Sequence, residues 1–500
     1  MIRNALKQFF TYGVGSVAQT ALNFVLLPIL LRFFEPGEYG IISLLLVTVS
    51  LLTTLFNVGI VSGLHRLYFE AGVQDKKKLI GTTLLWYFFG AILVGIILFS
   101  QSSRFSQILF HSKIYSYPVK TLGVFFFFSM LRTIPFEVFR LEKKANFYVG
   151  FSLFSFVIDF AIKLYFIAFL RRGIGGYFEA GIIAYMIVLC SILPFALEYM
   201  SFCLNASYLK QLLRLGFPFI FSGISMWILT MSDRFILNYF CGETEVGIYS
   251  LSYAFANLFN VFLFSPSALF FSPFFFSYAA ERSIENTKRL LSKSLIYFFL
   301  SGCVLFLIIS LGSGDMLRIF TSLFSAKQQY WQSAKIVPLL ILGPFFYLLS
   351  RQAGYALLMA KKPEFIAAVA IIAAVVNVEL NFIFIPRFGI LGAAIATAIA
   401  YALFVGLCYW WAQKIWPVNH NWKKLSKGSL FLGIAFIIGW QITIVNPWLS
   451  LFVRVLASVI IFVLCVWFIS DILTKNERNK ILIYLTEEKR KFVMRLSRKS

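Results

Sequence analysis

The stretch LEKKANFYVGFSLFSFVIDFAIKLYFIAFLRRGIGGYFEAGIIAY, residues 141–185, decides how this chain is read, because it recurs. Lys143-Lys144 opens an apolar run that contains Asp159 and ends in a turn at Gly173-Ile174-Gly175-Gly176. About 216–218 residues later, Lys361-Lys362 opens a second run with Asn377 in the place of Asp159, and the turn is Gly389-Ile390-Leu391-Gly392. Beyond it the copies share Ala180/Ala396, Ile183/Ile399, Ala184/Ala400 and Tyr185/Tyr401 without a gap. Each copy encodes two apolar helices joined by a tight glycine turn, so one structural unit is written twice. The openings correspond as well: Glu38-Tyr39-Gly40-Ile41 and Glu245-Val246-Gly247-Ile248 each lead into an apolar run.

Composition places these runs in a membrane. Of 500 residues, 60% are apolar and 13% charged, with a mean hydropathy of +0.83. Runs of about 20 apolar residues recur, each long enough as a helix to cross ~30 Å of hydrocarbon. Barrel-type alternation is absent, and backbone groups without water select helices. The runs fall at about 9–31, 40–64, 79–100, 119–139, 146–170, 177–200, 214–240, 247–275, 290–312, 336–358, 364–386, 388–412, 428–446 and 448–472. Fourteen spans return the chain to its starting side.

Basic residues settle the orientation expected. Alternate loops carry thirty Lys and Arg on one side and ten on the other, which puts both termini in the cytoplasm. The net charge of +24 follows from this bias, so no nucleic-acid partner is needed. The expected architecture is an all-α polytopic membrane protein built from two six-helix bundles, residues 1–206 and 207–415. These are parallel repeats about the membrane normal, which in transporters places the path between the halves. Two further spans follow within 416–475, then a basic cytoplasmic tail, 476–500. The tail reads equally as an in-plane helix on an anionic leaflet or as a frayed end.

Intramembrane charges are costly and mark cavities or partners. Arg132 lies 11 residues before Lys143 and Arg351 lies 10 before Lys361, so both sit about 15 Å from the inner surface. One arginine per copy at mid-depth suits a diphosphate, which the planar guanidinium grips bidentately; the competing reading ties each to carbonyls or to an acid on another helix. Nearer the outer side lie Asp159, Lys163, Asp233, Arg234 and Glu379. Asp159 and Lys163, four apart, share a face and can neutralise each other. Asp159, Asp233 and Glu379 are candidates for H+ or Na+ coupling, against internal salt bridges. The three histidines and six cysteines make no metal-ligand set, and no phosphate loop, cofactor motif or catalytic constellation points to an enzyme.

The motif Leu27-Pro28 with Arg32, the run Glu35-Pro36-Gly37-Glu38-Tyr39-Gly40, fourteen spans, and Asn377…Asn381…Pro386…Gly389-Ile390-Leu391-Gly392-Ala393-Ala394 carry a resemblance. The chain resembles the polysaccharide-transporter branch of the multidrug/oligosaccharidyl-lipid/polysaccharide (MOP) flippase superfamily, and within it the Wzx-type O-antigen and capsule-unit flippases. The resemblance implies a MATE-like fold and no cofactor. It further implies transfer of undecaprenyl-diphosphate-linked glycan between membrane lipid leaflets of a bacterial plasma (inner) membrane, ahead of a polysaccharide polymerase. Members of this kind have charged cavities, for which Arg132, Arg351, Arg234 and Lys163 are the candidates here, though no residue-by-residue motif assigns them. Two rivals share the fold: a MATE-type cation-coupled drug antiporter and a lipid II flippase. The deep charges, four basic against three acidic, lean toward an anionic cargo.

Overall fold

The computed structural model describes residues 24–469 apart from 25 and 58. The expectations for residues 9–23 and for the basic tail lie outside them. Among the described residues, sixteen α-helices of defined extent carry the fold. They are α1 Pro36–Asn57, α2 Ile60–Glu70, α3 Val73–Ser100, α4 Ser102–Phe110, α5 Ser116–Leu141, α6 Ala145–Leu164, α7 Gly173–Ala196 and α8 Ala206–Met231, then α9 Asp233–Cys241, α10 Glu243–Phe259, α11 Ser265–Glu281, α12 Ile284–Phe324, α13 Val337–Met359, α14 Glu364–Ile415, α15 Trp422–Gln441 and α16 Pro447–Leu464. Among the described residues there is no strand.

Among the described residues, ten helices are long and apolar enough to cross a membrane, eleven if the bent pair Gln328–Lys335 and Val337–Met359 is one span. The fourteen expected are not reached, for three physical reasons. The first span lies mostly outside the described residues. Two expected spans run together in α14, whose backbone turns at Gly389 (φ 56°, ψ −132°). The third reason is α15, which carries Lys423, Lys424 and Lys427 in its first turns.

The repeat is visible in backbone detail. Lys143 and Lys361 both adopt left-handed φ (56° and 57°). Behind them the amide of Lys144 bonds the carbonyl of Phe139 (2.8 Å) and that of Lys362 bonds Leu357 (2.9 Å). This is one helix-ending motif used twice, with lysine where glycine is usual. Gly173 and Gly389 repeat a positive φ at the next turn (59° and 56°).

Equivalent residues also meet each other. A Cβ on Gly40 would lie 1.9 Å from the Glu243 carbonyl, and one on Gly247 would lie 1.8 Å from that of Pro36. Three residues on, the hydroxyls of Ser43 and Ser250 are hydrogen-bonded at 2.6 Å. Self-equivalent contacts of this kind place a pseudo-twofold axis between α1 and α10, which run parallel. At the other end of the same path α2 packs on α8, with Gly59 over the Gly216 backbone and Gly63 over Leu212. Bulk at any of these glycines would force the halves apart.

In the first half α3 packs on α5, α5 on α7 and α7 on α6; in the second, α8, α9 and α13 each pack on α14. Helices α15 and α16 lie on α12. Asp315 of α12, fully buried, accepts from Ser450 (3.0 Å) and Arg454 (3.3 Å) of α16. Arg454 also bonds the Ile442 carbonyl at the end of α15 (2.7 Å), so one arginine ties the added pair to the second half.

Candidate functional site

Charged side chains collect at two levels along the spans. In the first half, Arg132 of α5 is half-buried, donates to Ser155 Oγ of α6 (2.8 Å), and lies 3.9 Å from the ring centroid of Tyr185 on α7. In the second, Arg351 of α13 is half-buried and donates to the Tyr355 hydroxyl (2.7 Å), to Ser267 Oγ (3.3 Å) and to the Phe264 carbonyl (3.5 Å). That carbonyl ends the π-helical turn Asn260–Phe264, a local widening of the helix that leaves backbone groups open to other donors. Neither guanidinium forms an ion pair among the described residues. Each is held by hydroxyls and aromatic faces, which leaves the positive charge uncompensated. The two arginines belong to separate clusters, one in each half.

The second level lies toward the face opposite Lys143 and Lys361. Lys163 is 5% exposed; its Nζ donates to Asp159 Oδ2 (2.8 Å) and sits 4.2 Å from the Tyr177 ring centroid. Asp159 Oδ1 is buried without a hydrogen-bond partner. The second copy replaces this pair with amides: Asn381 Nδ2 donates to Asn377 Oδ1 (3.0 Å), both fully buried. There too the remaining atoms, Asn377 Nδ2 and Asn381 Oδ1, lack partners.

Asp233 and Arg234 follow the break between α8 and α9 and are both buried. Asp233 accepts from Arg234 Nη1 (3.3 Å) and from the Tyr249 hydroxyl, with Thr397 beside it. Arg234 also caps the Thr230 carbonyl (3.1 Å) and lies 4.4 Å from the Tyr253 ring centroid. A buried carboxylate beside hydroxyls is a group able to take up a proton. Glu379 does not join this set. Two residues from both Asn377 and Asn381, it falls on the opposite face of α14 and is exposed.

Sequence reasoning missed the tyrosines. Tyr177, Tyr185, Tyr249, Tyr253 and Tyr355 supply the ring faces and hydroxyls around these cations. The one available signal was Tyr185/Tyr401, kept in both copies of the repeat; the rest were lost among 23 tyrosines and 60 phenylalanines.

Comparison with known proteins follows the same lines. The polysaccharide biosynthesis protein family matches residues 5–279, and the MatE family matches residues 218–383. An uncharacterized membrane protein of Methanocaldococcus jannaschii, MJ1068, is 26% identical over 237 residues, which is 47% of this chain and 44% of that protein. This chain thus matches less than half the length of that curated relative. The lipid II flippase MurJ in an inward closed conformation superposes with a TM-score of 0.70 at 16% identity, over 93% of this chain and 98% of that one. An inward-facing MATE multidrug resistance transporter of the MOP superfamily superposes at 0.67 and 16% identity, over 80% and 97%. With a family match over more than half its length, on this helical framework, the chain belongs to the polysaccharide biosynthesis protein family within the MOP flippase superfamily.

Proposed function

We propose that this membrane flippase carries undecaprenyl-diphosphate-linked oligosaccharide across a bacterial plasma membrane for surface polysaccharide such as O-antigen, capsule or exopolysaccharide. The observation that carries the reading is the pair of mid-depth arginines, one per repeat, neither in an ion pair among the described residues. An uncompensated guanidinium in low dielectric is poised for an anion that arrives with two phosphates. The cargo enters from the lysine-rich side, passes the arginines, and leaves when the α1–α10 seam parts. Asp233 is the coupling group in this reading, exchanging Arg234 for Na+ or H+. Both termini then lie in the cytoplasm, and a polymerase takes up the product.

A lipid II flippase is the second reading. It is favoured by the likeness to MurJ over 93% of the chain. Both readings share a polyprenyl-diphosphate carrier and differ in the sugar. The deciding experiment removes the protein and analyses polyprenyl-linked intermediates. Accumulation of a surface-glycan unit on the carrier supports the proposal. Accumulation of peptidoglycan precursor supports the second reading, and export of organic cations without either overturns both.

A further inference from the structure

The loops on the face opposite Lys143 and Lys361 each cross to the other half. In the first half α4 ends at His111, which is left-handed (φ 51°); in the second, α12 ends at Ser325 with the same backbone (φ 53°). At the first of these turns the Leu109 carbonyl accepts from Asn238 Nδ2 of α9 (2.5 Å), and the His111 ring centroid lies 6.2 Å from that of Tyr239. At the second, the Lys327 amide donates to the Leu31 carbonyl (3.3 Å). Ser43 and Ser250 are 207 residues apart, and the same step takes Leu31 to Asn238. Each loop therefore docks on the same position of the opposite half.

The second loop is the firmer. Its turn Gln328–Lys335 is rooted on α10, where Ser252 Oγ donates to the Ser333 carbonyl (2.8 Å). Its other end grips the first half. Tyr330, 1% exposed, donates to the Phe34 carbonyl (3.1 Å) and meets the Tyr39 ring edge-on with centroids 6.2 Å apart, while Lys327 Nζ pairs with Glu35. Residues 26–33 are helical, so Leu31 and Phe34 offer the carbonyls of a helix end, which need donors from outside. The loop thus ties α10 to the residues just before α1, across the seam where Gly40 meets Glu243 and Ser43 meets Ser250. We infer that the two exchanged loops are latches that hold this end of the path shut, with Tyr330 and Asn238 as positioning residues that must let go before the seam parts. The inference rests on the reading that the seam opens during transport.

The test measures, in proteoliposomes of the full-length chain, how fast a membrane-impermeant maleimide on the latched side modifies Ser43→Cys. Tyr330→Phe keeps the ring and loses the hydroxyl. This change and Asn238→Ala are each expected to raise that rate about three- to tenfold, the loss of one hydrogen bond, and their effects multiply in the double variant. Buried Cys303 is expected to stay unmodified; modification that rises there in step marks unfolding and overturns the latch. In parallel, Glu35→Cys/Lys327→Cys is bridged by a short bifunctional methanethiosulfonate. Transfer of a polyprenyl-diphosphate-linked oligosaccharide is expected to stop, and to resume when reductant removes the bridge. Unchanged rates at Ser43→Cys in all three variants, or full-rate transfer with the bridge in place, overturn the latch. Rates that rise while the unbridged protein transfers none of this lipid leave the latch standing and overturn the cargo reading.

Discussion

Arg132 and Arg351 are held by different partners. One leans on Ser155 and Tyr185, the other on Ser267, Tyr355 and a backbone carbonyl. Replacing either by Ala removes a charge-assisted bond to phosphate, worth about 1.5–3 kcal/mol, and lowers glycan translocation by about 10- to 100-fold at limiting substrate. Lysine at either site restores only part, because it keeps the charge and loses the fork. Surface glycan and membrane insertion, measured together in the single and double variants, check this; normal glycan in the double variant excludes the diphosphate grip. The buried Asp159–Lys163 pair makes a sharper case. Asp159→Asn alone strands a lysine and destabilises by about 3–5 kcal/mol. Replacing both by Asn copies the Asn377–Asn381 pair of the other repeat and recovers most of that loss. Thermal unfolding in detergent reads the difference. His420, in the turn before α15, is pressed against Tyr409 and Trp422, and burial pushes its imidazole down to about 4. Its folded form binds fewer protons than its unfolded form between the usual ~6.5 and that value. Stability is therefore flat above pH 6.5 and falls by about 1.4 kcal/mol per pH unit below it, until the folded form protonates too. His420→Phe flattens that slope. Depth of charge was legible in the sequence because residue counts from Lys143 and Lys361 measure it. Partners were not. A tyrosine that faces Arg132 and one that faces lipid read alike in an apolar run, and Glu379 matched Asp159 in depth but not in helical face.

At the scale of elements, the repeat was the legible feature, since glycine turns and paired lysines leave marks that hydropathy does not erase. What hydropathy could not place were breaks inside long apolar runs. The π turn at Asn260–Phe264, the step between α8 and α9 and the kink at Gly389 all sit where composition hardly changes. The helix ends at Lys143 and Lys361 hold lysine in left-handed backbone, at a cost of about 1–2 kcal/mol each. Lys143→Gly and Lys361→Gly are each expected to stabilise the protein by about 1 kcal/mol, read as a raised Tm in detergent. Gly389→Ala acts in the other direction by about 1–3 kcal/mol, because φ 56° with ψ −132° is open to glycine almost alone.

For the whole molecule, the decisive fact is that equivalent residues of the two halves touch. Gly40 with Gly247, and Ser43 with Ser250, close one end of the path on the pseudo-axis; Gly59 and Gly63 against α8 narrow the other. Nothing in a single hydropathy trace reveals which matching residues meet, because contact between repeats is set by their angle and not by either copy. Alternation requires the α1–α10 seam to open, so a covalent clasp there should halt transport without unfolding the protein. The most direct measurement is movement of a polyprenyl-diphosphate-linked oligosaccharide across proteoliposomes holding the Ser43→Cys/Ser250→Cys variant. The account predicts transfer under reducing conditions, arrest on oxidation, and recovery when reductant returns. Transfer that continues at full rate with the disulfide formed, or no transfer of this lipid even when reduced, contradicts it.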